Sequence, residues 1–121
     1  MKVPGPDHPI TVEPNGRRVR VTFNGRVVAE SARALLMRER NYDPVFYIPR
    51  EDADSSLFER TDHSTYCPYK GDASYFSIRA DGRISENAIW TYEQPYSAVA
   101  EIKDCLAFYP SRVDSIEELE K

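Results

Sequence analysis

The segment Cys67-Pro68-Tyr69-Lys70-Gly71 concentrates more reactive side-chain chemistry than any other part of the chain. A thiol becomes a nucleophile when a base or a cation lowers its pKa. His63 and Lys70 both lie close to Cys67 in sequence. Along a strand, four residues span roughly 13 Å, so a direct His63–Cys67 contact requires a bend. The plainer reading of Cys67 is a buried free thiol acting as a small core residue. Lys70 is a point charge able to hold an anionic group. Beside Gly71 it also fits a turn in which the glycine takes a special backbone angle and the lysine points into water.

Two familiar motifs are absent from this stretch. A phosphate loop places its Lys after the second Gly and opens a helix, whereas here Lys70 precedes Gly71 and strand-like residues follow. A zinc site needs four nitrogen or sulfur ligands with a close pair among them. Cys67 has only His63 nearby, Cys105 and His8 are distant in sequence, and no metal ligands are assigned. Asp52 and Asp54 form an Asp-x-Asp pair that could in principle hold Mg²⁺ for nucleotidyl transfer, although the segment after Pro49 and Arg50 reads better as a solvated acidic loop, since hydrated Mg²⁺ needs fixed geometry. The aromatic residues Tyr47, Tyr66, Tyr69, Tyr75, Trp90, Tyr92 and Tyr109 come from several segments. Most suit a core edge with a polar tip in water. If some converge with Lys70 and Arg50 they line an amphipathic pocket for a small ligand. The candidate set is therefore Cys67, Lys70 and Asp52 for catalysis, with Tyr47, Arg50, Tyr75, Trp90 and Tyr92 for ligand binding.

Composition bounds what such a site can serve. A chain of 121 residues suits one domain over residues 1–121, with 1–9 as a flexible N-terminal segment. The net charge of -4 disfavours long contacts with phosphate backbones, so nucleic acid is not the expected partner. No apolar run of about 20 residues occurs, so no membrane span is expected. The start, "MKVPGPDHPI", lacks the apolar core of a signal peptide. With Cys67 and Cys105 read as thiols, a cytoplasmic protein is expected.

Turn signals order the chain. Asn15-Gly16, Asn24-Gly25 and Asp81-Gly82 suit two-residue hairpin turns. Around the second, Val19, Val21 and Phe23 alternate with Arg18, Arg20 and Thr22, and a tight loop pairs Phe23 with Arg26 and Val21 with Val28. The consecutive Val27 and Val28 call for a bulge or burial of both faces. Around the third, Phe76 and Ile78 share a face, and Ile84, Ile89 and a Trp90/Tyr92 alternation follow. Residues 29–40 have helix propensity but continue from a hairpin strand without a capping box, so a strand is expected. Residues 44–49 read as a short strand, and 51–60 as a loop with one helical turn. Residues 97–104 form the best helix candidate, "CLAFYP" a short strand, and the last nine residues a strand that frays into an acidic tail. The fold expected is mainly β, α+β at the margin: a barrel-like antiparallel sheet built from hairpins, with one or two short helices.

These segments carry a resemblance. Through "GRVVAES", "VFYIPRED", "CPYKGDASYFSI", "AIWTYEQP" and "LAFYP", in order over most of residues 17–117, the chain resembles the bacterial and fungal family catalogued as domain of unknown function 427. The Cys-Pro-Tyr-Lys-Gly and Trp-x-Tyr-x-x-Pro segments make the likeness specific. It implies a compact, mostly β domain and strand over 27–39. Some classifications label the family a nucleotidyltransferase, but the Gly-Ser and paired-carboxylate signature of that class is missing here. The family-motif positions are Tyr47, Pro49, Asp52, Cys67, Pro68, Lys70, Gly71, Tyr75, Trp90, Tyr92, Pro95, Phe108 and Tyr109, and several are more polar than a fold alone requires.

The function expected is binding of a small anionic or polar ligand near the Cys-Pro-Tyr-Lys-Gly turn, with catalysis left open and no cofactor assigned. Mg²⁺-dependent nucleotidyl transfer and a non-catalytic interaction domain, such as a homodimer, are the alternatives.

Overall fold

The computed structural model of the protein describes residues 1–119. Ten strands run through it: β1 (Ile10–Pro14), β2 (Arg18–Phe23), β3 (Arg26–Ser31), β4 (Leu35–Glu39), β5 (Val45–Tyr47), β6 (Phe58–Cys67), β7 (Gly71–Ala80), β8 (Arg83–Thr91), β9 (Leu106–Phe108) and β10 (Ser115–Leu119). All pairings are antiparallel, in sheets ordered β10-β2-β3, β1-β4-β5 and β6-β7-β8-β9. Just beyond β5 and at the start of β9, Ile48 and Leu106 exchange both backbone hydrogen bonds at 2.8 Å, which joins the last two sheets into one ribbon.

That ribbon buries both faces, and the parity of its residues shows it. Phe46, Ile48, Leu106, Phe108, Ile89 and Ile78 pack into one apolar core with Val19, Val21 and Val28. Their neighbours Val45, Tyr47, Ala107, Tyr109, Trp90 and Tyr75 pack into a second core with Met37, Val99 and Ile102. Successive side chains of a strand point to opposite faces. The unbroken apolar runs "VFYI" and "LAFY" are therefore what a strand covered on both sides requires. The β10-β2-β3 sheet covers the first face, while β1, β4 and the 97–105 segment cover the second.

The hairpins at Asn24-Gly25 and Asp81-Gly82 form as expected, with all four residues at positive φ between 52° and 84°. Phe23 pairs with Arg26, but Val21 pairs with Ala29 rather than Val28. A bulge between Val21 and Thr22 takes up the extra residue and leaves Val27 outside and Val28 buried. Residues 29–39 are mostly strand, as expected, but residues 32–34 break them into β3 and β4 in different sheets. Asn15-Gly16 makes no hairpin: β1 pairs with β4 and β2 with β3 and β10, so the chain changes sheets there. Among the described residues, helix is confined to short 3-10 turns. Ser97–Ile102, the expected helix, is interrupted by Val99 at φ -127° and has no side-chain cap.

The loop expected over 51–60 ends early, because β6 begins at Phe58. β6 is an edge strand with almost no buried side chain, so it carries no apolar alternation to announce it. The expected tail includes residues 120–121, which lie outside the described residues.

Gly71 opens β7 at φ +112°, and a Cβ there would meet the Gln94 carbonyl oxygen at 3.3 Å. Gly71→Ala is expected to destabilise by about 1–3 kcal/mol through backbone strain. Gly5→Ala, at a site with open space and no positive φ, is expected to change stability by less than about 0.5 kcal/mol. Urea unfolding of both variants checks the contrast.

Candidate active site

The hairpin between β6 and β7 builds the site. Cys67 pairs with Gly71 across it, leaving Pro68, Tyr69 and Lys70 as the loop. The Lys70 N–H donates to the Cys67 carbonyl at 3.2 Å, and the Tyr96 N–H donates to the Lys70 carbonyl at 3.0 Å. Gly71 gives the 94–96 segment room to approach. The Cys-Pro-Tyr-Lys-Gly and Trp-x-Tyr-x-x-Pro segments thus meet in space.

The closed loop turns the Lys70 side chain inward. Its Nζ donates to Glu39 Oε1 at 2.6 Å and lies 3.8 Å from Cys67 Sγ. The side chains of Lys70 and Glu39 are only 12% and 10% exposed. The second Glu39 oxygen meets His8 Nε2 at 2.7 Å, and the His8 ring stacks on Tyr69 at 4.1 Å. Residues 1–9 lie along this hairpin: the Lys2 N–H donates to the Pro68 carbonyl, and Arg40 donates to the Asp7 carbonyl. Thiol, ammonium and carboxylate are thus held in sequence, with an imidazole behind the carboxylate.

In front of them opens a cleft of about 420 Å³. Six of the eight residues singled out from sequence line it: Tyr47, Cys67, Lys70, Tyr75, Trp90 and Tyr92. Met37, Glu39, Tyr42, Asp43, Val45 and Tyr109 complete the lining. The Trp90 indole N–H donates to Tyr47 Oη at 3.2 Å, and the Trp90 and Tyr109 rings lie 4.5 Å apart. Tyr75 Oη bridges Thr65 Oγ1 and Tyr109 Oη at 2.9 and 3.3 Å. Burial raises the pKa of the Tyr47 and Tyr92 phenols far above the ordinary value, so both stay protonated donors at any physiological pH. Burial and the Tyr75 hydroxyl push Tyr109 up to about 12. A second trough, about 540 Å³ and mostly apolar, runs on the other side of β5 past Phe46, Phe108 and Ile116. The thiol and the ammonium lie in the first, while the second carries only the carboxylates of Asp43 and Asp114.

Arg50 and Asp52 are elsewhere. Arg50 donates to the Asp104 carbonyl and Thr91 Oγ1, both at 3.1 Å, and to Glu93 at 3.4 Å, bracing β8 against the loop before β9. Asp52 accepts from Ser31 Oγ at 2.6 Å and from Arg33 at 3.0 and 3.3 Å, tying the Arg50–Asp52 turn to the end of β3. Asp54 accepts from Ser56 instead, so the two aspartates serve different partners. Cys67 and Cys105 are both free thiols, and burial raises the Cys105 pKa. His63 packs edge-on against Tyr75 and is not among the residues lining the cleft.

Glu39 and His8 escaped the sequence reading. One signal for Glu39 was available: Leu35, Met37 and Glu39 share a parity, which aims the carboxylate at the face that buries Met37. His8 is isolated in sequence, and only the fold brings it to Glu39.

An antiparallel β domain whose two-faced ribbon carries a thiol–ammonium–carboxylate cluster in a tyrosine-walled cleft is the class these features define. The chain belongs to the family described as domain of unknown function DUF427, whose model matches residues 11–119 and bears the label NTP_transf_9. A search of curated proteins finds no match. No helix among the described residues is long and apolar enough to cross a membrane.

Two predictions test these assignments. Removing one partner of a buried ion pair strands the other charge, at a cost of about 3–5 kcal/mol. Lys70→Gln and Glu39→Gln are each expected to approach that loss. The double variant should lose clearly less than their sum in a urea-unfolding cycle, and strict additivity would show that the pair is uncoupled. For Asp52, the Ser31 and Arg33 hydrogen bonds hold the carboxyl pKa below its ordinary value. Its contribution is therefore present above the unfolded-state pKa and lost as pH falls through the folded-state pKa. Asp52→Asn should lower the melting temperature at pH 7, with the difference narrowing as the pH falls into the acid range in which the folded-state carboxyl takes up its proton.

Proposed function

We propose that the cleft is a binding site for a small, uncharged polar molecule that lays a flat apolar portion against the tyrosine and tryptophan wall. The observation that carries this reading is the Lys70–Glu39 contact at 2.6 Å. Lys70 had been the natural anchor for an anionic group, but its charge is already matched, and Asp43 adds a second carboxylate to the lining. An anion entering the cleft therefore meets two carboxylates against one ammonium. A neutral ligand avoids that repulsion and can use the phenol donors of Tyr47 and Tyr92. A mostly apolar concavity with a few convergent polar groups is the usual form of a small-molecule site.

The Mg²⁺-dependent nucleotidyl-transfer alternative gains nothing from the geometry, because Asp52 is engaged by Arg33 and Asp54 by Ser56, and neither is among the cleft-lining residues.

Trp90 is the sole tryptophan and lines the cleft, so its indole N–H resonance reports occupancy. In an NMR titration benzamide is expected to shift that resonance saturably, with benzoate binding at least tenfold more weakly. Preference for benzoate would return Lys70 to the role of anion anchor. No shift at Trp90 with either compound would remove the binding assignment.

A further inference from the structure

We propose that Cys67 is a nucleophile toward the acyl carbon of small neutral amides and esters, with Lys70 and Glu39 managing its proton. The inference rests on the cleft being a binding site for neutral polar molecules, and it adds the chemistry done there.

Two independent features carry it. The first is the cluster itself. A buried ion pair is weak evidence for stability, and a surface hairpin can turn freely without one. Here the pair is laid against a thiol, with Nζ 3.8 Å from Sγ and the carboxylate steadied from behind by His8. Cys67 is only partly buried and lines the cleft, whereas the other thiol, Cys105, is buried. A lysine between a thiol and a carboxylate is a proton relay as well as a charge, since it can give a proton to one side while taking one from the other. The second feature is the wall. Tyr47 and Tyr92 are protonated phenols lining the same cleft, and Tyr47 Oη already accepts from the Trp90 indole. Its own proton is therefore oriented and available to a carbonyl oxygen that gains charge.

The reaction balances with groups on the page plus water. Lys70 passes a proton to Glu39 and takes the Cys67 thiol proton. The thiolate attacks the acyl carbon, a C–S bond forms, and the carbonyl electron pair moves onto oxygen. On collapse the bond to the amine or alcohol breaks, and that leaving group takes a proton from Lys70, which Glu39 restores. The thioester is then attacked by water, whose proton goes through Lys70 to Glu39. The C–S bond breaks, and the thiolate recovers the proton. An amide and water become an acid and an amine, with no oxidant or cofactor required.

The test is acylation of the full-length chain by p-nitrophenyl acetate, following p-nitrophenol release and locating the acetyl group by peptide mass spectrometry. The expected result is a burst of one equivalent with the acetyl group on Cys67 and none on Cys105, and loss of the burst in Cys67→Ala. Lys70→Arg keeps the positive charge beside Glu39, and hence the fold, but cannot release a proton. It should slow acylation at least tenfold. Acetyl found only on lysines or the N-terminus, or unchanged acylation in Lys70→Arg, overturns the proposal. If benzamide still shifts Trp90 in that case, the binding site stands and only its chemistry falls. If benzamide does not bind, the binding reading itself has failed.

Discussion

The ribbon formed by β5, β9, β8 and β7 must bury both of its faces, and most of the remaining architecture follows from that requirement. A small chain seldom has enough apolar surface for two cores. Here the two are made economically, by sharing one layer of backbone between Phe46, Ile48, Leu106 and Phe108 on one side and Val45, Tyr47, Ala107 and Tyr109 on the other. The paired hydrogen bonds of Ile48 and Leu106 hold that layer together where two sheets would otherwise end as open edges. The first core is closed by valines of β2 and β3 and is apolar throughout. The second is rich in tyrosine and incompletely closed, and the cleft is the part of it that the covering segments leave open.

The cleft's polarity follows from the same geometry. A strand that enters a core with a carboxylate at its end must find that charge a partner. β4 does so with Glu39, and the partner comes from a hairpin loop more than thirty residues later in sequence. The loop can supply Lys70 because Gly71 lets the 94–96 segment pack against it, and because Pro68 and Tyr69 are held by the N-terminal residues. The thiol is therefore fixed by backbone pairing at Cys67–Gly71, and the ammonium by tertiary closure of the loop. A group positioned from two directions in this way has little conformational freedom left to lose.

Arg50 and Asp52 illustrate the opposite outcome. Both stand in a segment whose residue types suggest a site, yet both serve as braces. Arg50 ties β8 to the loop before β9, and Asp52 ties its own turn to Ser31 and Arg33. Motif membership alone does not separate a residue that lines the cleft from one that braces the strands around it.

The amino-acid sequence by itself determined the strands whose pattern is local. The Asn-Gly and Asp-Gly turns with flanking alternation specified two hairpins, and the apolar runs "VFYI" and "LAFY" specified short strands, whose burial on both faces only the packing of the sheets decided. It also singled out the Cys67–Gly71 loop and most of the aromatic wall, because reactive and amphipathic side chains are recognisable by type. Only the tertiary structure decided the rest. β6 has no buried face to announce it, Asn15-Gly16 could have closed a hairpin but instead carries the chain between sheets, and the 97–102 segment is too short and too constrained to become an α-helix. The partners of Lys70 were beyond local reading for the same reason. Hydrogen-bond reach is about 3 Å, and residues as distant in sequence as His8, Glu39 and Lys70 come within it only when sheets packed on a shared ribbon bring their ends together.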